Sequence, residues 1–421
     1  MSKGTTDDNE GGSGLIGGAV TVSLLVTLAL QNAVPPLATD MYAPSFPQIT
    51  SDLATTSTMV GLTLTAFFLG FGAGQIVGGA LSDQIGRRKP MITGGLVALV
   101  GSLICIISPN IWVLLVGRFL QGFGGGAAAA VGRAILVDVA HGHLLARTMS
   151  LLQAIGGLAP MIAPVVGGLI VTYAPWRVVF VVLALFTLLM AATAWRWAPE
   201  SLPANKRRSG GISRFFTGVG QVLRIRMFVG LMLTSVFSSF CMFGYISNST
   251  YVLQEQLGLS PIAFSWVFAG NALLSSALAL VNVRLIGFFQ PKHLIFFGLC
   301  LAGAGVVILA LSNFAWGLPL IPTCIGFAVL MSANAFIFGN ASALALGHAR
   351  EHAGTASAVQ GLMQSIANGV ASPLATSGGG DSATPMILVM ITGSLMSWLV
   401  FWTIARGGNA PSIRHLDSPQ P

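Results

Sequence analysis

The stretch GGALSDQIGRRKP, residues 78–90, joins two long uncharged stretches through a short basic loop. The runs on its two sides, 57–80 and 90–108, are each close to the ~20 apolar residues that an α-helix needs to cross a bilayer. Three consecutive basic residues stand between them at 87–89, and membrane proteins keep such charges in cytoplasmic loops. The pattern predicts two spanning helices that are joined on the cytoplasmic side of a membrane.

The composition of the whole chain is that of a membrane protein. Only 8% of the 421 residues are charged and 54% are hydrophobic, whereas a soluble protein carries about 25% charge. A net charge of +8 would suggest nucleic-acid binding in a soluble protein, but an excess of Lys and Arg in cytoplasmic loops explains it here. We therefore expect a lipid bilayer, and no nucleic acid, around this chain. The cysteines lie in apolar stretches without metal-ligand spacing and are interpreted as packing residues: Cys105, Cys241, Cys300 and Cys324.

Twelve apolar stretches have spanning length, which predicts an all-α membrane protein. Basic residues fall almost entirely in alternate connections, with Arg177 as the exception, so both termini are predicted to be cytoplasmic. One stretch, 314–346, is too long for a single straight span, and we expect Pro319 and Pro322 near its entry. The stretches lie near residues 15–38, 57–80, 90–108, 110–133, 147–172, 175–195, 228–253, 262–287, 293–311, 314–346, 353–376 and 384–405.

The longest polar interruption divides the chain into two halves of six spans. LSDQIGRRKP in the first half and VNVRLIGFFQPKH in the second occupy equivalent connections, which favours duplicated halves, a recurring transporter design. The alternative is that any short cytoplasmic loop collects basic residues. The predicted organisation is a disordered cytoplasmic tail over 1–14, a six-helix half over 15–195, a basic cytoplasmic linker over 196–227, a second six-helix half over 228–405 and a cytoplasmic tail over 406–421.

Three stretches carry a resemblance to a known family. GGALSDQIGRRKP (78–90) resembles the signature loop of the major facilitator superfamily, GRFLQGFGGG (117–126) resembles the span 4 motif of its proton-coupled members, and GGLAPMIAPVVGG (156–168) resembles the span 5 motif of its antiporters. With ATDMYAP in span 1, the set is similar to the drug:proton antiporters of the bicyclomycin-resistance and chloramphenicol-efflux branch. The resemblance covers nearly all of 15–405 and implies the major facilitator fold. It also implies export of lipophilic antibiotics, driven by the proton gradient without a cofactor.

Asp40 is an unexpected acid, because it stands near the end of the first span. Asn32, Pro36 and Asp40 are spaced by four and share one helix face, and Pro35 with Pro36 is expected to break the helix. Arg118 in span 4 lies at a similar depth, since spans 1 and 4 run in opposite directions. We hypothesise that Asp40 carries the proton and Arg118 tunes it, because burial favours a neutral carboxyl and a nearby guanidinium an ionised one. The alternatives are an aspartate that caps a helix end in water and an arginine that snorkels to the surface.

Two groups near these residues are assigned supporting roles. Gln121 is expected to orient Arg118 or to relay the proton. A carboxylate and a guanidinium at the end of a span can latch neighbouring helices, and the predicted latch consists of Asp83, Arg87 and Asp138. The resemblance supports this latch and sets Asp83 against the start of span 11, near residue 354. The alternative is a topogenic basic cluster with a helix cap.

The glycine and proline motif of span 5 has two expected effects. Pro160 and Pro164 each remove a backbone hydrogen bond and bend the helix. Gly157, Gly167 and Gly168 allow close packing against neighbouring helices. The resemblance implies an antiporter role for this motif, and the alternative is ordinary small-residue packing.

A substrate pocket is expected at the bundle centre, mostly apolar with a few polar groups. Some members of the resembled group carry a second carboxylate deeper in span 1, where this chain has Gln31 and Asn32. This difference leans toward neutral or zwitterionic substrates, such as phenicols. The predicted lining is Asn32, Tyr42, Phe240, Phe243, Tyr245, Asn248, Asn271 and Asn334.

Function classes other than export stay open on the residues alone. The same fold could run a proton-coupled importer of a small nutrient, and a membrane receptor would leave the buried acid and arginine unexplained. An enzyme is not expected, because the sequence has no Gly-rich phosphate loop, metal cluster or nucleophile–base set. We expect a monomer in the bacterial inner membrane, with protons and a lipophilic drug-like compound as its partners.

Overall fold

The computed structural model describes residues 15–16, 20–140, 142–207, 218–349 and 353–405. In this part of the chain twelve long helices follow one another, labelled α1 to α12 in chain order. The first six are α1 (Val22–Asp40), α2 (Ser57–Ile85), α3 (Arg88–Ile106), α4 (Ile111–Val139), α5 (Gly142–Tyr173) and α6 (Arg177–Trp197). The second six are α7 (Arg226–Tyr251), α8 (Pro261–Leu285), α9 (Pro291–Phe314), α10 (Leu320–His348), α11 (Ala353–Ala375) and α12 (Thr384–Val400).

These helices match the twelve predicted stretches, so the predicted all-α membrane architecture is confirmed. Eleven helical segments within the described residues are long and apolar enough to cross a membrane. The remaining long helix, α11, is more polar because one face carries amides and hydroxyls that line interior cavities. The tails predicted over 1–14 and 406–421 lie outside the described residues, as does 208–217 within the predicted linker.

The start of α1 differs from the prediction. Leu15–Ile16 pairs antiparallel with Val20–Thr21, so the apolar residues before the helix form two short strands. The Thr21 hydroxyl then accepts a hydrogen bond from the Leu24 N–H at 3.2 Å and caps the helix. A threonine with extended backbone satisfies an otherwise unpaired N–H at this position, which sets the start at Val22 and not at residue 15.

Pro35, Pro36 and Pro319 do not break helices in this fold. The first two lie within a helix and the third begins one. The predicted break in α1 is wrong, because the helix continues through Pro35 and Pro36 to Asp40. Neighbouring helices and polar side chains can support the backbone groups that a proline leaves unpaired inside a membrane bundle. Pro319 is the N-cap residue of α10, as expected for a proline at the entry of a span.

Glycines bring helices into backbone contact inside the first half. A Cβ atom on Gly70 or Gly74 of α2 would collide with backbone atoms of Phe119 or Phe123 in α4. Larger side chains at these two positions would therefore force α2 and α4 apart. Such contacts replace the hydrophobic drive that lipid removes, because van der Waals packing improves when backbones approach closely.

Hydrogen bonds between the two halves gather at one end of the bundle, where α1 ends and α2 begins. Thr250 donates to the Ala43 carbonyl at 2.9 Å, and Ser57 donates to the Thr376 carbonyl at 2.8 Å. The hydroxyls of Thr50 and Tyr251 lie 2.7 Å apart. This end, which the predicted topology assigns to the outside, is thus sealed by both halves, and we call it the sealed end.

Candidate transport cavity

A cavity of about 440 Å³ lies between the two halves, and we call it the central cavity. Aromatic, methionine and proline side chains make most of its wall, with a few amides and hydroxyls among them. Both halves contribute, so a rotation of one half against the other reshapes the cavity. Its lining residues are Pro35, Pro36, Thr39, Asp40, Phe68, Pro160, Ser239, Met242, Phe243, Ile246, Phe268, Ala272, Met331, Phe338, Ser342, Gln364 and Asn368.

Asp40 is the only ionisable group among the described residues that line the central cavity. It is the last residue of α1 and is 5% exposed. The Thr39 hydroxyl lies 2.8 Å from the Asp40 Oδ1 atom and donates to it. A buried carboxyl with one hydroxyl partner and no cation beside it can exist in either protonation state as its surroundings change.

Arg118 is enclosed by neighbouring side chains and does not line the central cavity. Its side chain is fully buried, and the guanidinium carbon lies 4.5 Å from the centre of the Tyr42 ring and 4.7 Å from that of Phe67. Its Nη1 donates to the Gln121 Oε1 at 2.6 Å, and the Gln121 Nε2 donates to the Ser102 hydroxyl at 2.9 Å. In the described part of the chain, the Nε and Nη2 atoms of Arg118 have no hydrogen-bond acceptor. Aromatic faces therefore provide much of the stabilisation of this charge.

The predicted meeting of Asp40 and Arg118 does not occur in this structure. No ion pair within 4.0 Å joins them among the described residues. Tyr42 occupies the face of the guanidinium, whereas Asp40, two residues earlier, turns to the cavity. Positions two apart near a helix end point in nearly opposite directions, about 200° apart at ~3.6 residues per turn. A surface position for Arg118 is likewise excluded by its burial.

Of the predicted substrate residues, only Phe243 lines the central cavity. On α7 the lining positions are 239, 242, 243 and 246, a spacing of three and four that marks one helix face. The predicted Phe240, Tyr245 and Asn248 lie on the other faces of the same helix. The remaining predicted residues that do not line this cavity are Asn32, Tyr42, Asn271 and Asn334.

Tyr245 and Asn271 instead form a second layer, which packs behind the side chains that line the central cavity. The Asn271 side-chain amide donates to the Tyr245 hydroxyl oxygen at 3.0 Å. The Tyr245 ring stacks on Phe268 with 5.2 Å between the ring centres, and Phe268 lines the cavity. These two predicted residues therefore hold a lining residue in place.

Two more polar cavities lie away from the sealed end; the first borders the central cavity and the second borders the first. The first, the polar cavity, is about 330 Å³ and is lined by Phe68, Phe71, Gln75, Arg133, Ser342, Leu346, Ser357, Gln360, Gly361, Gln364, Ser365 and Asn368. The second, the side cavity, is about 300 Å³ and is lined by Leu28, Gln31, Asn32, Ala129, Gly132, Arg133, Met149, Leu152 and Ser357. The predicted Asn32 thus faces the side cavity, where its amide donates to the Leu152 carbonyl at 3.4 Å.

Arg133 lines both of these polar cavities and was not among the predicted site residues. The predicted stretch of span 4 ends at residue 133. In the structure α4 continues for six more residues, to Val139. Arg133 is the one charged residue in 119–137, and an isolated charge in such a run is the signal that could have identified it.

The predicted acidic and basic residues between α2 and α4 form a cluster around Arg87. Its Nε donates to the Asp138 Oδ2 at 2.9 Å, and its Nη1 contacts the Asp83 Oδ1 at 2.5 Å. Two residues after α6 join the cluster and were not predicted. The Glu200 Oε1 accepts from the Arg87 backbone N–H at 2.7 Å, and the Ser201 hydroxyl donates to Asp138 at 2.7 Å.

The charges of this cluster keep Arg87 protonated. Burial alone would lower the pKa of Arg87, but its hydrogen bonds to Asp138 and Asp83 and their negative charges outweigh burial and raise that pKa. The Asp83 side chain is 49% exposed, and Gly354, its predicted neighbour, lies outside the residues whose surroundings the structure describes. Among the described residues, the contacts of the cluster thus lie within the first half and the start of the linker.

The span 5 motif contacts both halves near the sealed end. A Cβ atom on Gly167 would collide with the Met41 backbone of α1, and one on Gly168 would meet Pro261 and Ser265 of α8. Pro160 lines the central cavity, and α5 continues through it. Gly157 has no atom within 4 Å of an added Cβ, so the close packing predicted there is absent in this structure.

Comparison with known proteins identifies the family. The family described as Major Facilitator Superfamily matches residues 28–372, which is most of the chain. This chain belongs to the major facilitator superfamily. An uncharacterized MFS-type transporter, YdgK, of Bacillus subtilis (strain 168) is 32% identical to it over 391 residues, which cover 92% of this chain and 97% of YdgK. A bicyclomycin resistance protein homolog of Haemophilus influenzae is 28% identical, and the match covers 91% of this chain and 96% of the relative.

A solved structure supports the fold at lower sequence identity. A bacterial homolog of the human lysosomal transporter Spinster, in an inward-facing and unoccupied conformation, superposes with a TM-score of 0.74. It is 15% identical, and the match covers 92% of this chain and 98% of that one. The major facilitator fold and the branch resemblance inferred from the motifs are therefore confirmed. The superfamily consists of transporters, so this chain is a multi-pass membrane transporter and not an enzyme.

Proposed function

We propose that this transporter exports small lipophilic, drug-like compounds in exchange for protons. The observation that carries the proposal is the central cavity, in which Asp40 is the only ionisable group among the described lining residues. Apolar walls suit a lipophilic compound, and a few polar groups fix its orientation. The relative named for bicyclomycin resistance supports an antibiotic as one type of substrate.

Exchange follows from competition for the central cavity. An ionised Asp40 needs water, a cation or a hydrogen-bond donor beside it, and a donor group on the bound compound can supply this partner. A protonated Asp40 is neutral and needs no such partner, so protonation weakens binding and releases the compound. Binding of the compound favours one protonation state, and protonation in turn changes the affinity for the compound, because the two equilibria are linked. A membrane potential adds about 2.3 kcal/mol per charge for each ~100 mV when a charge crosses the membrane.

Alternating access needs one end to close when the other opens. Here the outer end by the predicted topology is sealed through Tyr251, Thr250 and Ser57, while the polar cavities lead toward the opposite end. The cluster around Arg87 is proposed to bind the second half in the opposite state, when the sealed end opens. Small residues at the sealed end, such as Gly168 beside Ser265, allow the halves to close tightly there.

Arg118 is proposed to act as a positioning residue and not as a direct partner of the acid in this state. It contacts Tyr42, which follows Asp40 by two residues, and it is held by Gln121. A shift of this guanidinium therefore moves the end of α1. In a state where Tyr42 turns away, the Nε and Nη2 atoms, which have no acceptor among the described residues, would be free to donate hydrogen bonds to a carboxylate.

The substrates are proposed to be neutral or zwitterionic, a class that includes phenicols, because Gln31 and Asn32 bring no second carboxylate into the side cavity. The protein is proposed to work as a monomer in the bacterial inner membrane with both termini in the cytoplasm. Protons and the compound are its only proposed partners besides lipid.

Inverted membrane vesicles test this proposal. An imposed pH gradient, acidic inside, should drive accumulation of a phenicol or another lipophilic antibiotic, and a protonophore should abolish it. Right-side-out vesicles are the control for direction. Proton-driven uptake in right-side-out vesicles would identify an importer. Accumulation that the protonophore does not change would show that transport is not coupled to protons.

A further inference from the structure

Arg133 is a charged residue inside the bundle that the proposed mechanism does not use. It lies six residues before the end of α4, about 9 Å along the helix at ~1.5 Å per residue. It makes no hydrogen bond or ion pair with any part of the chain that the structure describes. The carboxylate nearest in sequence, Asp138, is already bound by Arg87 and Ser201. The Arg133 side chain is exposed to the two cavities that it lines. An arginine that faces a cavity from within a spanning helix marks a candidate functional site.

The surroundings of Arg133 are polar but contain no negative charge. The polar and side cavities present amides and hydroxyls around it, from Gln75, Gln360 and Ser357 among others. None of the described residues that line either cavity is an aspartate or a glutamate. Neutral amides and hydroxyls can donate hydrogen bonds to an anion, but they cannot neutralise a guanidinium. The site is therefore complementary to an incoming acid.

The polar cavity adjoins the apolar central cavity. Phe68, Ser342, Gln364 and Asn368 line both of them. A compound that reaches from one to the other meets Arg133 at one end and aromatic and methionine side chains at the other. Asp40 lies in the central cavity and Arg133 outside it, so the proton site and the cation serve different parts of the same path.

We infer that this transporter recognises amphipathic organic acids, with the acidic group bound to Arg133 and the lipophilic body in the central cavity. The inference rests on the proposed export function but changes its substrate class, from neutral or zwitterionic compounds to compounds that carry an acidic group. Arginine suits this role because its planar guanidinium binds both oxygens of a carboxylate through two parallel hydrogen bonds. Placing the anion away from Asp40 avoids repulsion between two negative charges.

Binding to the purified full-length protein tests the inference without requiring transport. The probes are lipophilic aryl-alkanoic acids and the primary amides of the same acids, and binding is followed by ligand-induced shifts of thermal unfolding. The wild type should bind each acid about ten-fold or more tightly than the matched amide, as expected for a charge-assisted hydrogen bond. Arg133→Gln should lose that preference while binding the amides as the wild type does, and Arg133→Lys should retain part of it.

A matched control distinguishes the effect of Arg133 in the cavities from the general effect of removing one positive charge. Arg147 is exposed on α5 and lines none of the three cavities, so Arg147→Gln removes the same charge elsewhere and should keep the wild-type preference. The inference is overturned if Arg133→Gln binds the acids as tightly as the wild type does, or if the wild type binds acids no more tightly than amides. The second comparison needs no variant, so a poorly folded variant does not block the test.

Vesicle transport of the same pairs keeps this inference apart from the proposed function. If acid binding depends on Arg133 but no proton gradient moves any probe, the recognition site stands and proton-driven export falls. If a proton gradient drives export of the amides while acid binding ignores Arg133, export stands and this inference falls.

Discussion

The guanidinium carbon of Arg118 lies 4.5 Å from the centre of the Tyr42 ring, two residues beyond Asp40. The contact joins α4 to the end of α1 without placing the cation on the acid. Asp40 consequently faces the central cavity, and the Thr39 hydroxyl is its one side-chain partner among the described residues. Because the cation contacts a neutral ring and not the acid, the acid can change charge while the helices remain connected.

The Tyr42 ring, and not its hydroxyl, should carry this connection. Tyr42→Phe removes only a hydrogen bond to Thr63, at a cost of about 1 kcal/mol, and Thr63 still donates to the Val60 carbonyl. Tyr42→Leu removes the ring face from the guanidinium and should cost about 2 kcal/mol more, because the site is desolvated. Thermal unfolding and proton-driven transport should be close to wild type in the first variant and reduced in the second. Equal losses in both would show that the hydroxyl matters instead.

The cavity wall and the layer behind it should respond differently to substitution. Phe243→Ala removes a lining ring that packs on Phe68 with 4.8 Å between the ring centres. It should weaken binding of lipophilic compounds by about ten-fold, the effect of losing ~1.4 kcal/mol. The measurement is the affinity for a fixed panel of compounds.

Tyr245→Phe is the matched change in the second layer. It leaves the buried Asn271 amide without its hydroxyl partner and should lower the free energy of unfolding by about 1–3 kcal/mol. Affinity for the panel should stay at the wild-type value, because the ring that stacks on Phe268 is retained. A changed affinity with unchanged stability would contradict the assignment of Tyr245 to the second layer.

The Arg87 cluster should stabilise the protein equally across the physiological pH range. The raised pKa of Arg87 means that the folded state favours its charged form, so this contribution is present below the ordinary arginine pKa and is lost only above it. Arg87→Gln should therefore lower the unfolding free energy by about 2 kcal/mol at both roughly pH 6 and roughly pH 9.

Arg88→Gln is the control, because it removes the adjacent charge, whose side chain donates to the Trp195 carbonyl and to no other residue that the structure describes. It should have little effect on thermal unfolding at either pH. A loss in Arg87→Gln that vanishes within this pH range would show that another group, and not Arg87, titrates in the cluster.

The sequence predicted the helices well, because length and hydropathy alone define a membrane span. It also predicted the contact of Arg87 with Asp138, which spacing and unexpected acids indicated. It did not predict which face of α7 lines the cavity, because hydroxyl and amide side chains are spread around this helix and most of it is buried, so no single polar face orients it. Arg133 was missed because the hydrophobic run ends at the charge, whereas the helix continues beyond it.

Asp40→Asn tests the central claim most directly, because it removes the titratable proton and keeps the size of the side chain. In proteoliposomes that contain the full chain, two quantities should be compared: accumulation driven by a pH gradient, and exchange of substrate across a membrane without a gradient. Asp381→Asn serves as the control, since Asp381 is an exposed acid outside the cavities. We predict that Asp40→Asn loses gradient-driven accumulation and retains exchange, while the control keeps both. Gradient-driven accumulation at the wild-type level in Asp40→Asn would contradict the role of Asp40 as the proton carrier.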